Sequence, residues 1–462
     1  MNRSSSIPNC RPRREWLRVG GISALGLGLG SLLADRAASA AGNERSFGRA
    51  RSCIVLFLSG GPPQHETFDP KPAAPVEVRG PFLPIATRVP GIEISELLPR
   101  TARIAKHLTI VRSLSTGINA HAASGYSILT GYPHPAGNRD EPASPTDRPS
   151  LASVAAQMLA GGSGPLGAVT LPERIVNNPG VAWPGQDGGF MGRSWDPLLL
   201  ACEPASPRGR ADSLCLPEDV DLARLGQRRS LLNQVELAFA STERGGSWRQ
   251  YDATARRALD VLTQATTGEA FDLSREPASV RDEYGRHKFG QSVLLARRLV
   301  EAGGRLVQVN FPREPGDLNI GNPLWDTHSN NAGRVRETLC PALDQAYPAL
   351  VADLAARGLL DETLVVLVGE FGRSPRINKL GGRDHWGTVF SACLAGAGLP
   401  GGRLVGASDR LGGEPKTHPI GPAELAATIL HLLGIRPESE FHDRLGRPQR
   451  ASAGQPRADI LG

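Results

Sequence analysis

Residues 363–375 read TLVVLVGEFGRSP. The run Thr363–Val368 is apolar or β-branched throughout, is closed by Gly369, and shows no polar alternation. Such a run predicts a strand covered on both faces, hence a sheet with helices on each side. Glu370 and Arg373 follow at once, so polar chemistry stands where the strand ends. The chain repeats this figure. Ser52–Ser59 (SCIVLFLS), Leu108–Leu114, Arg305–Phe311 (RLVQVNF) and Val389–Ala395 (VFSACLA) are further strand runs. Between them Leu151–Leu159, Gly290–Ala302, Ala332–Gly358 and Pro422–Leu433 carry helical patterns. The expected fold is α/β: a three-layer sandwich with a mostly parallel central sheet and helices on both faces.

Ligands gather at the carboxyl ends of the strands in such sheets. There the sequence places His65, Glu66 and Asp69 (GGPPQHETFDP), His121 (NAHAASGYSILTG, 119–131), Asp326 and His328 (WDTHSNN), Glu370 and Arg373, and Asp384 with His385 (GRDHW). Carboxylates mixed with imidazoles suit zinc, manganese or iron. Any one of these residues beside a glycine reads equally well as a turn or cap residue. Five clusters on one edge read as a site. His121 also falls where a strand hands over to a helix, a place where backbone N–H groups converge on anions.

The formal charge of +6 over 462 residues is concentrated at the N-terminus. Residues 1–41 hold six arginines against Glu15 and Asp35, a net of +4, which leaves +2 for the remainder and no footprint for nucleic acid. Arg13-Arg14, an apolar GGISALGLGLGSLLA and a small-residue AASAAG describe a twin-arginine-type signal segment over 1–41, with cleavage expected after Ala40. The expectation is an exported, periplasmic or extracellular protein that engages the twin-arginine machinery and keeps no stable membrane span after cleavage. Residues 50–440 are expected as a single domain with a Gly- and Pro-rich insertion at 160–290. That insertion carries Trp183, Asp187, Arg193 and Trp195 over the site and includes helices at Leu222–Ala240 and Asp252–Thr266. A polar tail is expected at 441–462. Cys202 and Cys215 bracket a loop and either pair or stay as thiols; no CxxC spacing suggests a structural metal.

The strings GGPPQHETFDPKP, HAASGYSILTGYPHP, AFDLSREP, GQSVLLARRLVEAGG, WDTHSNN, GEFGRSPRIN and GRDHW, spread over about residues 50–435, resemble an exported bacterial family of unknown function within the alkaline phosphatase and sulfatase superfamily. The resemblance implies an alkaline-phosphatase-like domain and one or two divalent ions, whether zinc, manganese, iron or calcium. It implies Glu66, or else Asp69, as the early carboxylate ligand, followed by Asp326 and His328. Glu370 stands where the superfamily has Asp-His-Gly, with Phe371 in place of the imidazole. His385 closes the set, with Asp384 as ligand or orienting partner. Counting back from Gly131 puts the nucleophile position on His121. The proline and arginine of the sulfatase motif are replaced by Ala123 and Gly125, which disfavours an ordinary sulfatase. His121 is left as nucleophile, metal ligand or acid/base group, Ser124 as the fallback nucleophile, and Arg373 as a fork for non-bridging oxygens. The implied function is metal-assisted hydrolysis of a phosphate or sulfate ester of a small molecule or saccharide. The alternative is an exported binding or scaffold protein that keeps the fold without turnover.

Overall fold

Thr363–Val368 forms a strand in which every residue is buried. Its side chains alternate between two cores: Val365 and Leu367 join one, Leu364, Val366 and Val368 the other. A strand with an apolar core on each face needs cover on each face, and the chain supplies it. The computed structural model describes residues 44–159, 166–176, 181–206, 269–313 and 324–462, with scattered positions between 224 and 234.

The middle layer is an eight-stranded sheet. Its strands are β1 (Ser52–Phe57), β2 (Leu108–Leu114), β3 (Ala168–Leu171), β4 (Leu198–Leu199), β5 (Leu306–Asn310), β6 (Thr363–Val368), β7 (Phe390–Gly396) and β8 (Arg403–Val405). The spatial order is β8-β2-β7-β6-β1-β5-β3-β4. β7 runs antiparallel to both its neighbours, and the other pairs are parallel. On one face α1 (His121–Thr130), α2 (Leu151–Met158) and α5 (Pro422–Leu432) close the core through Ile128, Leu129, Val154, Leu425 and Ile429. On the other, α3 (Lys288–Glu301) and α4 (Cys340–Ala356) do so through Val293, Leu294, Leu343 and Leu350. The expected three-layer α/β architecture is the one observed.

The helix expected from Ala332 is present and carries a widened turn near its start. A turn at Asn331–Arg334 passes into a π-helical turn at Val335–Leu339, and regular α4 starts only at Cys340. Pro341, which has no N–H to donate to the preceding turn, sits where the widened turn ends.

Two expected boundaries are corrected. The described part of the 160–290 stretch is more than a cap: β3 and β4 lie within it and extend the central sheet beyond β5. Residues 441–462 are no polar tail. Phe441, Ile460 and Leu461 are buried in the core that contains α5, and Glu440–His442 pairs with Pro448–Arg450. The buried apolar residues stand far apart among polar ones, too sparse to show a period. The signal segment, most of the helices expected at 222–240 and 252–266, and Cys215 lie outside the described residues. Among the described residues no helix is long and apolar enough to cross a membrane.

Two glycines let the edge of the sheet carry a site. Gly60 and Gly61, just past β1, have φ of +108° and +79°. A Cβ on Gly60 would stand 2.5 Å from the Asp326 backbone nitrogen, and one on Gly61 would stand 2.5 Å from the Phe371 ring. Both a left-handed backbone and close approach are required, and only glycine meets both.

Candidate metal centre

Four strand ends deliver the side chains. The segment after β5 brings Asp326 and His328, the end of β6 brings Glu370, and the link from β2 into α1 brings His121. A short ribbon pairs His385 with Arg373. They converge on the Asp326 carboxylate. Its Oδ1 stands 3.0 Å from His328 Nε2 and 3.1 Å from His385 Nε2, and its Oδ2 stands 3.3 Å from His121 Nε2. The two exposed-side imidazoles face each other, Nε2 to Nε2, at 2.8 Å. His121, Asp326 and His385 each offer a ligand atom, all within 4.8 Å of one another.

The far nitrogen of each ring says which way the near one points. His385 Nδ1 stands 2.7 Å from the Asn119 carbonyl, which can only accept. His121 Nδ1 stands 2.7 Å from Glu370 Oε1, and His328 Nδ1 stands 3.4 Å from Asp384 Oδ1. Each Nδ1 therefore donates, and a neutral ring presents its Nε2 lone pair toward Asp326. Lone pairs 2.8 Å apart beside a carboxylate oxygen repel unless a proton or a metal cation stands among them. Ligand atoms about 2.1 Å from one tetrahedral ion lie roughly 3.4 Å apart, close to the spacings here. Behind the His121 ring, Glu370 is fully buried and its Oε2 has no hydrogen-bond partner. The donor set fits a divalent ion.

Charges around the cluster follow from these contacts. Burial pushes the Asp326 carboxyl up, but His121, His328, His385 and Arg373 together hold it far below the usual carboxylate range. Burial pulls the His121 imidazole down. The hydrogen bonds to Asp326 and Glu370 outweigh that and raise it to about 9. His385 is lowered, chiefly by burial.

Other expected site residues stand elsewhere or do other work. Glu66 stands outside the cluster, where its Oε1 takes the Arg383 Nε at 3.0 Å and Nη2 at 2.5 Å, a buried ion pair. Asp69 pairs with Lys71 at 2.8 Å and accepts from Ser408. Ser124 is fully buried, donates to the Glu370 carbonyl at 2.6 Å and meets Thr116 Oγ1 at 2.8 Å. Arg373 is not a fork for substrate oxygens. Its fully buried guanidinium donates to the Gly60, Gly61 and Arg383 carbonyls and to Asp326. Asp384, with its side chain 63% exposed, orients His328 and accepts from Asn378 Nδ2. At the N-terminus of α1, where an anion site is expected, side chains of the following loop take three N–H groups. Asn138 Oδ1 accepts from the Asn119 and Ala120 N–H groups, and Asp140 Oδ1 accepts from Ala122.

Three contributors were not singled out from sequence. Asn119 orients His385 through its carbonyl and caps the Gly387 N–H with its side chain. Gln64 accepts from the Arg373 N–H and donates to its carbonyl, locking the arginine. The Gly60 N–H donates to Glu370 Oε1 at 2.8 Å. Each acts through backbone or a neutral amide, which leaves no compositional trace. Asn119 had the one usable signal, its adjacency to His121. Of the insertion residues, Trp183 is buried 5.6 Å from the His121 ring, while Asp187 pairs with Arg174.

Known proteins give the following likenesses. The family described as "Protein of unknown function (DUF1501)" matches residues 50–461. No curated protein matches the chain in sequence. Among solved structures, the lipoteichoic acid synthase LtaP from Listeria monocytogenes is similar at 10% identity, covering 90% of this chain and 77% of its own, with a TM-score of 0.38. PsFucS1 sulfatase from Pseudoalteromonas sp. is similar at 13% identity, covering 98% and 76%, with a TM-score of 0.38. Phosphonate monoester hydrolase SpPMH from Silicibacter pomeroyi is similar at 13% identity, covering 88% and 76%, with a TM-score of 0.33.

Proposed function

The chain belongs to the DUF1501 family, and on that premise we propose that it is an exported, metal-dependent hydrolase acting on phosphate or sulfate esters of small molecules or saccharides. The observation that carries this reading is the convergence of the His328 and His385 Nε2 atoms, 2.8 Å apart, on Asp326 Oδ1. Zinc, manganese or iron suits that nitrogen-rich set; calcium, which prefers six to eight oxygens, does not. Such an ion, when bound, polarises an ester oxygen and lowers the pKa of water.

The chain's own residues do the rest. Arg373 holds the Asp326 carboxylate from behind, and the Asn119 carbonyl fixes the His385 ring. His328, with its side chain 36% exposed, forms the open rim with Asp384, and substrate enters on that side. Ser124 is enclosed, so the reading is direct attack by water and not a covalent enzyme intermediate. A twin-arginine route, which carries folded proteins, suits a centre loaded before export.

The second reading is an exported binding protein that holds the ion without turnover. The enclosure of both Arg373 and Ser124 favours it, since neither can reach a substrate. Elemental mass spectrometry of the mature protein and of His328→Ala, followed by a screen of aryl phosphate and sulfate esters, separates the two. Bound zinc, manganese or iron that is lost in the variant, with ester turnover, supports the hydrolase. Metal without turnover leaves the binder. A folded, metal-free protein overturns both.

A further inference from the structure

We infer that His121 is itself a ligand of this ion, through Nε2, that Glu370 is its positioning carboxylate and not a ligand, and that the centre takes a single ion; the inference rests on the metal reading above. His121 Nε2 stands 3.3 Å from Asp326 Oδ2, on the opposite carboxylate oxygen from His328 and His385. One carboxylate is thus ringed by three Nε2 atoms, and each ring has its Nδ1 on an acceptor.

Glu370 is placed to orient. Its Oε1 takes the His121 Nδ1–H at 2.7 Å and the Gly60 N–H at 2.8 Å, which fixes the tautomer and plane of the ring. A carboxylate behind a ligating imidazole holds it and makes it more basic. The ring is pinned on its other sides by Phe371, centroid to centroid 4.8 Å, and by Trp183. Trp183 reaches the first turns of α1 because residue 125 is glycine; a Cβ there would stand 2.5 Å from the indole. His121 therefore has neither a free nitrogen nor a free face with which to act as a nucleophile.

A second ion would need its own ligands at Glu370 Oε2. His121, Asp326 and His385 offer ligand atoms within 4.8 Å of one another, whereas Glu370 Oε1 is already taken by the His121 Nδ1–H and the Gly60 N–H. The lone Oε2 is one donor without companions.

The test uses the mature chain stripped of metal and titrated with zinc alone, in wild type, Glu370→Gln, His121→Ala and the double variant. Stoichiometry is read by elemental analysis and affinity by chelator competition. Side-chain nitrogen NMR of the loaded wild type reads which His121 nitrogen carries hydrogen. The expected results are one equivalent throughout, affinity weakened about 10- to 100-fold in Glu370→Gln and further in His121→Ala, a double variant no weaker than His121→Ala, and hydrogen on His121 Nδ1. Two equivalents, one of them lost in Glu370→Gln, would make Glu370 a direct ligand and overturn the inference. Unchanged affinity in folded Glu370→Gln would reduce it to a structural residue. A wild type that binds no zinc, manganese or iron fails at the earlier level, the metal reading itself.

Discussion

At the scale of single residues, two carboxylates, Glu66 buried and Asp326 half-buried, show how partners divide labour. Glu66 faces one guanidinium, whose other donors go to the Val78, Ser374 and Pro375 carbonyls; the pair ties the segment after β1 to the loop that carries His385. Glu66→Gln removes one charge of a buried pair and strands the other. It is expected to cost about 3–5 kcal/mol in denaturant unfolding while leaving bound metal unchanged; loss of the ion from a folded variant would restore Glu66 as a ligand. Asp326 instead faces three imidazoles and Arg373, and stability in the ion-free protein should follow pH accordingly. His121, raised from 6.5 to about 9, contributes stability that is fully present below 6.5 and lost as pH rises through 9. Asp326, held down, contributes stability present above the ordinary carboxylate range near 4 and lost as pH falls. Urea midpoints of ion-free protein should therefore peak between about pH 4 and 6.5 and drop toward pH 9, the alkaline loss amounting to roughly 3 kcal/mol. An ion replaces the proton at Nε2, so affinity should rise over the same window. Midpoints flat from pH 6 to 9 would contradict the His121 contacts.

At the scale of elements, α1 is the piece that sets the site. All ten of its residues are buried; Asp140, from the loop that follows it, caps the Ala122 N–H, and Asn138 takes the Asn119 and Ala120 N–H groups just before it. The helix can be this polar and this buried because each hydroxyl is matched: Ser127 donates to the Ala123 carbonyl, Thr130 to that of Tyr126. Gly125 leaves room for Trp183. Gly125→Ala should overpack that contact, costing about 1–3 kcal/mol and changing Trp fluorescence. A variant with wild-type unfolding and emission would show that Trp183 does not rest on α1. Sequence alone placed this helix well, since ASGYSIL follows a strand run and ends at Gly131, which takes the left-handed C-terminal position. It could not show that side chains of the following loop take N–H groups at the helix N-terminus. The caps come from residues 138 and 140, and which turn folds back onto which helix is a matter of chain path.

At the scale of the whole molecule, the centre ties together segments that are far apart in the chain: 60–61, 119–121, 326–328, 370–373 and 384–385. A ligand that joins them binds the folded state alone, so its removal should destabilise the whole domain. Stripping the ion with a chelator is expected to lower the thermal midpoint. The stability lost should grow with ion excess, reaching about 2.7 kcal/mol at a hundredfold excess over Kd. A midpoint indifferent to added zinc and chelator would mean that these segments are held by Arg373 and Arg383 alone.

The amino-acid pattern by itself determined the layers and the edge. Unbroken apolar runs such as TLVVLV are stable only when buried on both faces, and that condition implies helices on either side and polar groups collected at the strand ends. His121, Asp326, His328, Glu370 and His385 were legible for that reason: imidazoles and carboxylates at strand ends stand out against glycine and proline. Only the tertiary structure decided among charged residues of equal promise. Glu66, Asp69 and Arg373 look like site residues in sequence, but each becomes a buried partner of another charge or of backbone carbonyls. A charge removed from water must be matched by whatever lies nearest in space, and sequence spacing does not reveal what that is.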